Sequence, residues 1–319
     1  MNAPAPHPAH YPTTGGIPNP RGPHSATDPD TDLHRGRLLL VVSSILFGIM
    51  AILAKHAAHE VSGPQVAFVR FVVCTAGCGL YATWRPLRIQ NRTGVVLRGL
   101  LGGLAVLCYF LAIWKLPVGM ATLLNYTAPV FTAVLAAMFL SEPLTASMIG
   151  ALIVTLVGVC LVITGSVAVS GGGIGPWHIV GMMAAVLSGG AVTAIRWARR
   201  SDGAWELFSS FSAIGLLVCA PLTIRWWEWP SSTGWALLVA LGAVSLAAQL
   251  LFTYALRYTS AALAGVISQL TPVSAMLLGL ALYHEPYGWK GFLGAVVTLL
   301  GVVWGAYSAD RGVAPKRHR

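Results

Sequence analysis

The sequence predicts an all-α polytopic membrane protein, with ten transmembrane helices arranged as two inverted five-helix repeats. Three observations predict it: the composition, ten apolar runs of spanning length, and an internal repeat. Of 319 residues, 56% are apolar and 9% charged, where a soluble domain carries about 25% charged residues. So few polar side chains cannot cover a water-exposed surface, whereas in lipid a helix satisfies its own backbone and needs none. The net charge of +10 does not indicate nucleic acid. The basic residues stand singly between apolar runs and form no stripe interleaved with aromatics.

The opening segment, residues 1–34, is rich in Pro, His, Gly, Ser, Thr and Asp and reads as a disordered cytoplasmic tail. It lacks the apolar run and cleavage site of a signal peptide. His7, His10, His24 and His34 are irregularly spaced and make no recognisable metal site. About 20 apolar residues are needed to cross a bilayer core. Within a first repeat at 35–168, such runs lie near 38–57, 64–84, 95–115, 119–140 and 146–166. No Asp, Glu, Lys or Arg occurs between Pro143 and Ile195, but that stretch is too long for one span. A linker at 169–176, containing Ser170-Gly-Gly-Gly-Ile-Gly-Pro176, divides it. No strand precedes these glycines and no Lys-Ser/Thr follows, so they are not a phosphate-cradling loop. The second repeat, 177–308, holds runs near 177–196, 205–225, 233–254, 261–283 and 288–307, and a basic cytoplasmic tail closes the chain at 309–319.

Cys74, Cys78, Cys108, Cys160 and Cys219 all sit inside apolar runs. They read as small hydrophobes, with neither zinc spacing nor a disulfide framework. No metal and no cofactor is expected.

Lys and Arg orient the spans. With a cytoplasmic N-terminus, Arg21, Arg35, Arg37, Arg85, Arg88, Arg92, Arg98, Arg196, Arg199, Arg200, Arg257, Arg311, Lys316, Arg317 and Arg319 fall on the cytoplasmic side. Only Lys55, Lys115, Arg225 and Lys290 fall opposite, and Arg70 lies within a span. Both termini are therefore expected in the cytoplasm. All eleven tryptophans lie at or near predicted span ends, where indole rings prefer the headgroup level.

A shift of 143 residues aligns Pro129 with Pro272, Glu142-Pro143 with Glu285-Pro286, Val154-Thr155-Leu156 with Val297-Thr298-Leu299, and Gly158-Val159 with Gly301-Val302. A slightly different shift aligns Leu46-x-Gly48 with Leu187-x-Gly189 and Lys55 with Arg196. Five spans per half is an odd number, so the second half enters the membrane from the other side.

These features resemble the drug/metabolite transporter superfamily, specifically its ten-span proteins built of two EamA-type domains. Pro64-Gln-Val-Ala-Phe-Val-Arg70-Phe in the second span carries part of the resemblance. In the fourth span, Ala121-Thr-Leu-Leu-Asn-Tyr-Thr-Ala-Pro129-Val runs on to Leu140-Ser-Glu142-Pro143-Leu. The ninth has Ser268-Gln-Leu-Thr-Pro272-Val, running on to Tyr283-His-Glu285-Pro286. The resemblance covers roughly residues 38–307 and implies transport of small metabolites across a bacterial inner membrane. Amino acids, sugars, nucleotide conjugates and drugs all fall within that family's range, so the substrate stays open. A second copy of the chain is a candidate partner. The rival reading is a membrane scaffold or receptor on a duplicated fold.

Two inverted halves place a substrate site near the midplane at their interface, and polar groups at that depth are the candidates. Arg70 lies about six residues into its span, roughly 9 Å at 1.5 Å per residue. It either clamps an anionic group or snorkels to the interface. Pro129 and Pro272 should kink the fourth and ninth spans, freeing the carbonyls of Asn125 and Ser268. Asn125, Tyr126, Ser268 and Gln269 cluster at these kinks, as cavity lining or as helix–helix bonds. Tyr109 and Gln249 are lone polar groups that could line the same cavity. No carboxylate sits at midplane, which argues against a lipophilic cation and favours neutral, zwitterionic or anionic solutes. Glu142 and Glu285 should each cap the helix that follows. Gly301-Val-Val-Trp-Gly305 is a GxxxG packing pattern. No catalytic constellation is present: there is no Gly-x-Ser-Gly with a facing histidine, no aspartate pair and no acidic cluster to hold magnesium.

Overall fold

The computed structural model describes residues 29–57, 59–115, 124–166, 175–283 and 288–313. Among these, every regular element is an α-helix. Expectations for the outermost tails, most of the glycine linker, residues 119–123 of the fourth span and Glu285-Pro286 lie outside the described residues. The helices are α1 Pro29–Ala57, α2 Gly63–Trp84, α3 Arg92–Lys115, α4 Ala128–Leu140, α5 Ala146–Ser166, α6 Pro176–Ala198, α7 Ala204–Arg225, α8 Ser232–Ala255, α9 Ala261–Ser268, α10 Leu270–Tyr283 and α11 Trp289–Val313. α9 and α10 together make one span, Ala261–Leu282. Among the described residues, eight spans are long and apolar enough to cross a membrane, and Ala128–Leu140 and Ala146–Leu161 are shorter apolar helices.

α1 begins at Pro29, inside the segment expected to be disordered. Proline fits a first helical position because its missing N–H is unused there, and Asp32 suits the positive end of the dipole. This local chemistry extends the helix beyond the apolar run.

The repeat is visible in the helix bounds. α2 and α7 are each 22 residues, pairing Gly63 with Ala204, and α3 and α8 are each 24, pairing Arg92 with Ser232. α1 and α6 end at Ala57 and Ala198, and α5 and α11 begin at Ala146 and Trp289. The caps repeat as well. Gly94 N–H donates to Asn91 Oδ1 at 2.9 Å before α3, and Gly234 N–H donates to Ser231 Oγ at 3.0 Å before α8. Even the carboxylates that receive these caps' amides match: Asn91 N–H donates to Asp202 and Ser231 N–H to Glu60, both at 2.9 Å.

The two halves are not separate bundles. α1 packs chiefly on α8, α9 and α10, while its counterpart α6 packs on α3 and α4. Two groupings run through these contacts, α1 and α2 on α8 with α9/α10, and α3, α4, α6 and α7, each drawn from both repeats. α2 against α7 and α4 against α9 join the groupings, and α5 pairs with α11.

Glycines set the closest crossings, reciprocally. A Cβ on Gly48 of α1 would lie 3.0 Å from the amide of Ala275 in α10, and one on Gly189 of α6 would lie 2.8 Å from that of Thr132 in α4. In the α5–α11 pair, Gly158 abuts the backbone of Thr298 and Gly301 that of Thr155. The Val-Thr-Leu-x-Gly-Val match therefore records one contact made twice. Gly305 completes the packing stripe against Val266 and Ala151.

Two expectations are corrected. Glu142 does not cap the helix that follows it. Its Oε2 accepts from Ala261 N–H at 3.0 Å, capping α9 in the other repeat, and its Oε1 accepts from Arg196 Nε at 2.9 Å. Arg196 Nη1 also donates to the α8 C-terminal carbonyls of Leu256 and Arg257, at 2.9 and 3.2 Å. The helix dipole still explains the choice, because the α9 N-terminus is brought to this carboxylate by the interleaving of halves. Arg98, assigned to the cytoplasmic rim, is instead buried in α3 at 4% exposure. Its removal from the cytoplasmic set leaves the basic asymmetry intact.

Candidate functional site

A residue that touches its own counterpart lies on the axis relating the halves. For inverted repeats that axis runs in the membrane plane, at mid-depth. Two polar groups meet this condition.

The first is the paired break in the fourth and ninth spans. Pro129 stands in the first turn of α4, preceded by a turn at Tyr126–Thr127, and Pro272 lies in the first turn of α10, after the break at Gln269. Before each proline the chain tightens: Thr127 N–H donates to Leu124 C=O at 3.1 Å and Gln269 N–H to Val266 C=O at 3.2 Å. Gln269 Nε2 then donates to Tyr126 C=O at 3.0 Å. Tyr126 and Gln269 are counterparts in the Pro129–Pro272 register, so this bond crosses the axis. The carbonyl bonded across the breaks is thus Tyr126's, rather than those of Asn125 or Ser268, because the helix opens one residue later than a simple proline kink requires. Gln269 is fully buried, and its Oε1 has no hydrogen-bond partner among the described residues. Pro129 packs on Gly265, where a Cβ would come within 3.1 Å of the proline ring. Asn125 and Ser268, also counterparts, are half-buried beside the bond, and Ser268 Oγ donates to Gly265 C=O at 2.8 Å.

The second group lies between α2, α3 and α7. In the register of α2 and α7 the counterpart of Arg70 is Phe211, and the Arg70 guanidinium carbon is 5.9 Å from that ring's centroid. Arg70 also stands 4.9 Å from the ring of Phe71, which meets Phe211 edge-on at 5.1 Å. Arg98 lies 3.9 Å over the same Phe211 ring. Both arginines are at least nine-tenths buried, and Arg70 Nε has no hydrogen-bond partner among the described residues. Neither has a carboxylate partner among them. Cys74 and Cys219 lie within electrostatic range of Arg70. Gly102 makes the stack possible, because a side chain there would collide with Arg98 and with the Phe211 ring, 2.8 Å away. Arg70 therefore does not snorkel: its head is turned into the helix contact.

Tyr109 lies on α3 eleven residues after Arg98, so about three turns along the same face. It is within electrostatic range of Tyr126. Gln249 is the α8 counterpart of Tyr109 in the Asn91–Ser231 register. It is half-buried, and its backbone carbonyl accepts from Thr253 Oγ1 at 2.7 Å. The structure brings together Asn125, Tyr126, Pro129, Ser268, Gln269 and Pro272, sets Tyr109 on α3 within electrostatic range of Tyr126, and leaves Gln249 on the flanking helix. Arg98 is the residue that charge counting missed. Its position three residues into a predicted span, on the stripe of Gly102 and Tyr109, was the available signal.

The EamA-like transporter family matches the chain twice, at residues 34–164 and 175–305. The Pseudopaline exporter CntI of Pseudomonas aeruginosa is 30% identical over 239 residues, spanning 73% of this chain and 82% of its own. An uncharacterized transporter of Helicobacter pylori is 24% identical over 280 residues, or 83% and 92% of the two chains. A solved crystal structure superposes with a TM-score of 0.73 at 21% identity, covering 87% of this chain and 99% of the other, and so shares the fold. Eight helices of spanning length with two shorter apolar ones among the described residues, and two matches to one family model, lead to one conclusion: the chain is a multi-pass membrane transporter and belongs to the EamA-like transporter family.

Proposed function

We propose that this transporter exports a small neutral, zwitterionic or anionic metabolite by alternating access around the axial polar groups. The observation that carries the reading is that, of the buried side-chain polar atoms without a hydrogen-bond partner among the described residues, two, Arg70 Nε and Gln269 Oε1, belong to groups on the axis between the halves, the others including Thr75 Oγ1 and Arg199 Nε. A buried orphan donor or acceptor costs about 1–3 kcal/mol, a cost that a bound solute offsets by supplying the missing partner. Export as the direction is supported by the name of the Pseudomonas aeruginosa relative. The moving bodies are the two mixed helix groupings rather than the two sequence halves, since each half is packed mainly into the other. Closure at one face is assigned to Glu142 with Arg196, which tie the α4–α5 junction to the ends of α8 and α9.

Reconstitution into proteoliposomes with a panel of amino acids, organic acids and sugar derivatives tests this reading. Saturable movement of at least one solute is expected, reduced at least tenfold by Gln269→Leu. Folded protein that moves none of them would contradict it.

A further inference from the structure

We infer that Arg70 and Arg98 together form an anion-recognising site, so that the cargo carries a carboxylate or phosphate group. The inference rests on the transport reading above and names the chemistry of its substrate. Both guanidinium groups lie within 6 Å of the Phe211 centroid, so their carbons are at most about 10 Å apart. A small molecule bearing two oxyanions spans that distance, and a single oxyanion bridges the two guanidinium groups where they stand closer. Planar guanidinium forks suit carboxylate and phosphate, and both are always charged. Two like charges at mid-depth without a carboxylate between them are costly. Aromatic faces supply part of the compensation, but a ring already shared by two cations cannot supply a counter-charge.

The repeat argues against a scaffold requirement for these arginines. At the equivalent positions of the second half stand Phe211 and Leu238, both buried: 4% and 0% exposed. The α8–α2 contact, counterpart of the α3–α7 contact that holds Arg98, therefore forms with the apolar Leu238 packed on Val66 and Val69, while Phe211 shares the α2–α7 contact with Arg70 itself. The pair also sits where Arg70 meets its own counterpart, on the axis, the place from which a solute can be handed from one face to the other.

The test uses the full-length protein in nanodiscs of phosphatidylcholine, with thermal melting against L-glutamate, succinate and inorganic phosphate, and with leucine and glucose as neutral controls. The substitutions copy the other half, Arg70→Phe and Arg98→Leu, with Arg98→Lys as the milder change. At least one soluble anion should raise the wild-type Tm. Both apolar variants should lose that response by tenfold or more in half-saturating concentration while melting no lower than wild type without ligand. Lys should give an intermediate loss. Unaltered anion responses in both variants, or no response in the wild type, would overturn the inference. So would a response to phosphatidylglycerol discs alone, which would make the anion a lipid headgroup. Transport of a neutral solute that neither variant alters would overturn the anion site and leave the transport reading standing. Arginine-dependent anion binding without transport would do the reverse.

Discussion

At Gln269 a single side chain bridges two broken helices, and its environment explains its cost and its use. Replacing it with Leu leaves Tyr126 C=O without its donor at membrane depth. Interhelical hydrogen bonds in membranes average about 0.6 kcal/mol and reach about 1.7. Gln269→Leu should therefore destabilise by roughly 0.5–2 kcal/mol, measured by denaturant or thermal unfolding in detergent, and a larger loss would indicate disrupted packing. Glu60 offers a test in pH. Its hydrogen bonds with Ser231, side chain first and then backbone amide, hold its carboxyl below the ordinary value of 4.5. A depressed carboxyl contributes stability that is present above the unfolded pKa and lost as pH falls through the folded one. The Tm difference between wild type and Glu60→Gln should be constant from pH 7 to about 5 and shrink below the usual carboxylate range; a difference that grew on acidification would contradict the assignment. Residues beside prolines were legible in the sequence because proline has one fixed effect on a helix. Arg98 was not, because counting charges near a predicted span end cannot separate a loop arginine from one turned inward three residues later.

Among the elements, the reciprocal glycine contacts decide how closely helices approach. Gly158→Leu and Gly301→Leu each force a side chain against backbone, of Thr298 and Thr155 respectively. Overpacking costs about 1–3 kcal/mol when side chains can shift, and backbone cannot shift as readily. Both substitutions should lower the melting temperature by similar amounts, as the repeat requires. Gly79→Ala, with nothing within 4 Å of the added methyl, should be neutral or stabilising by up to about 1 kcal/mol. The same melting series reports all three. The apolar runs predicted these helices as ten spans; among the described residues eight have spanning length and Ala128–Leu140 and Ala146–Leu161 are shorter. Which helix each glycine faces was illegible, because a GxxxG pattern names a smooth face and not its partner. The cap made by Glu142 shows the same limit: local sequence pointed to the next helix, while the partner came from the opposite repeat.

For the whole molecule, interleaving of the halves has a direct consequence. Each repeat finds its main contacts in the other, so neither half should fold alone. Split within the Ser170–Gly175 segment, the halves should co-purify in folded form when expressed together, and each alone should be protease-sensitive; a stable first half on its own would contradict the packing. The odd number of spans per half made the inversion legible in sequence, and the matched prolines made the axial breaks legible. The exchange of helices between halves was not, because a repeat specifies equivalence and says nothing about which copies touch. The central claim is that the axial breaks open to one face at a time. Asn125 and Ser268 are counterparts at those breaks and take no part in the bond between Gln269 and Tyr126. Single cysteines placed at each, with Cys74, Cys78, Cys108, Cys160 and Cys219 replaced, allow labelling by a membrane-impermeant thiol reagent from either side of oriented vesicles. Alternating access predicts that transported solute shifts labelling from one face toward the other, at both positions together. Labelling from both faces at once and indifferent to solute would describe a channel, and no labelling from either face would leave a scaffold.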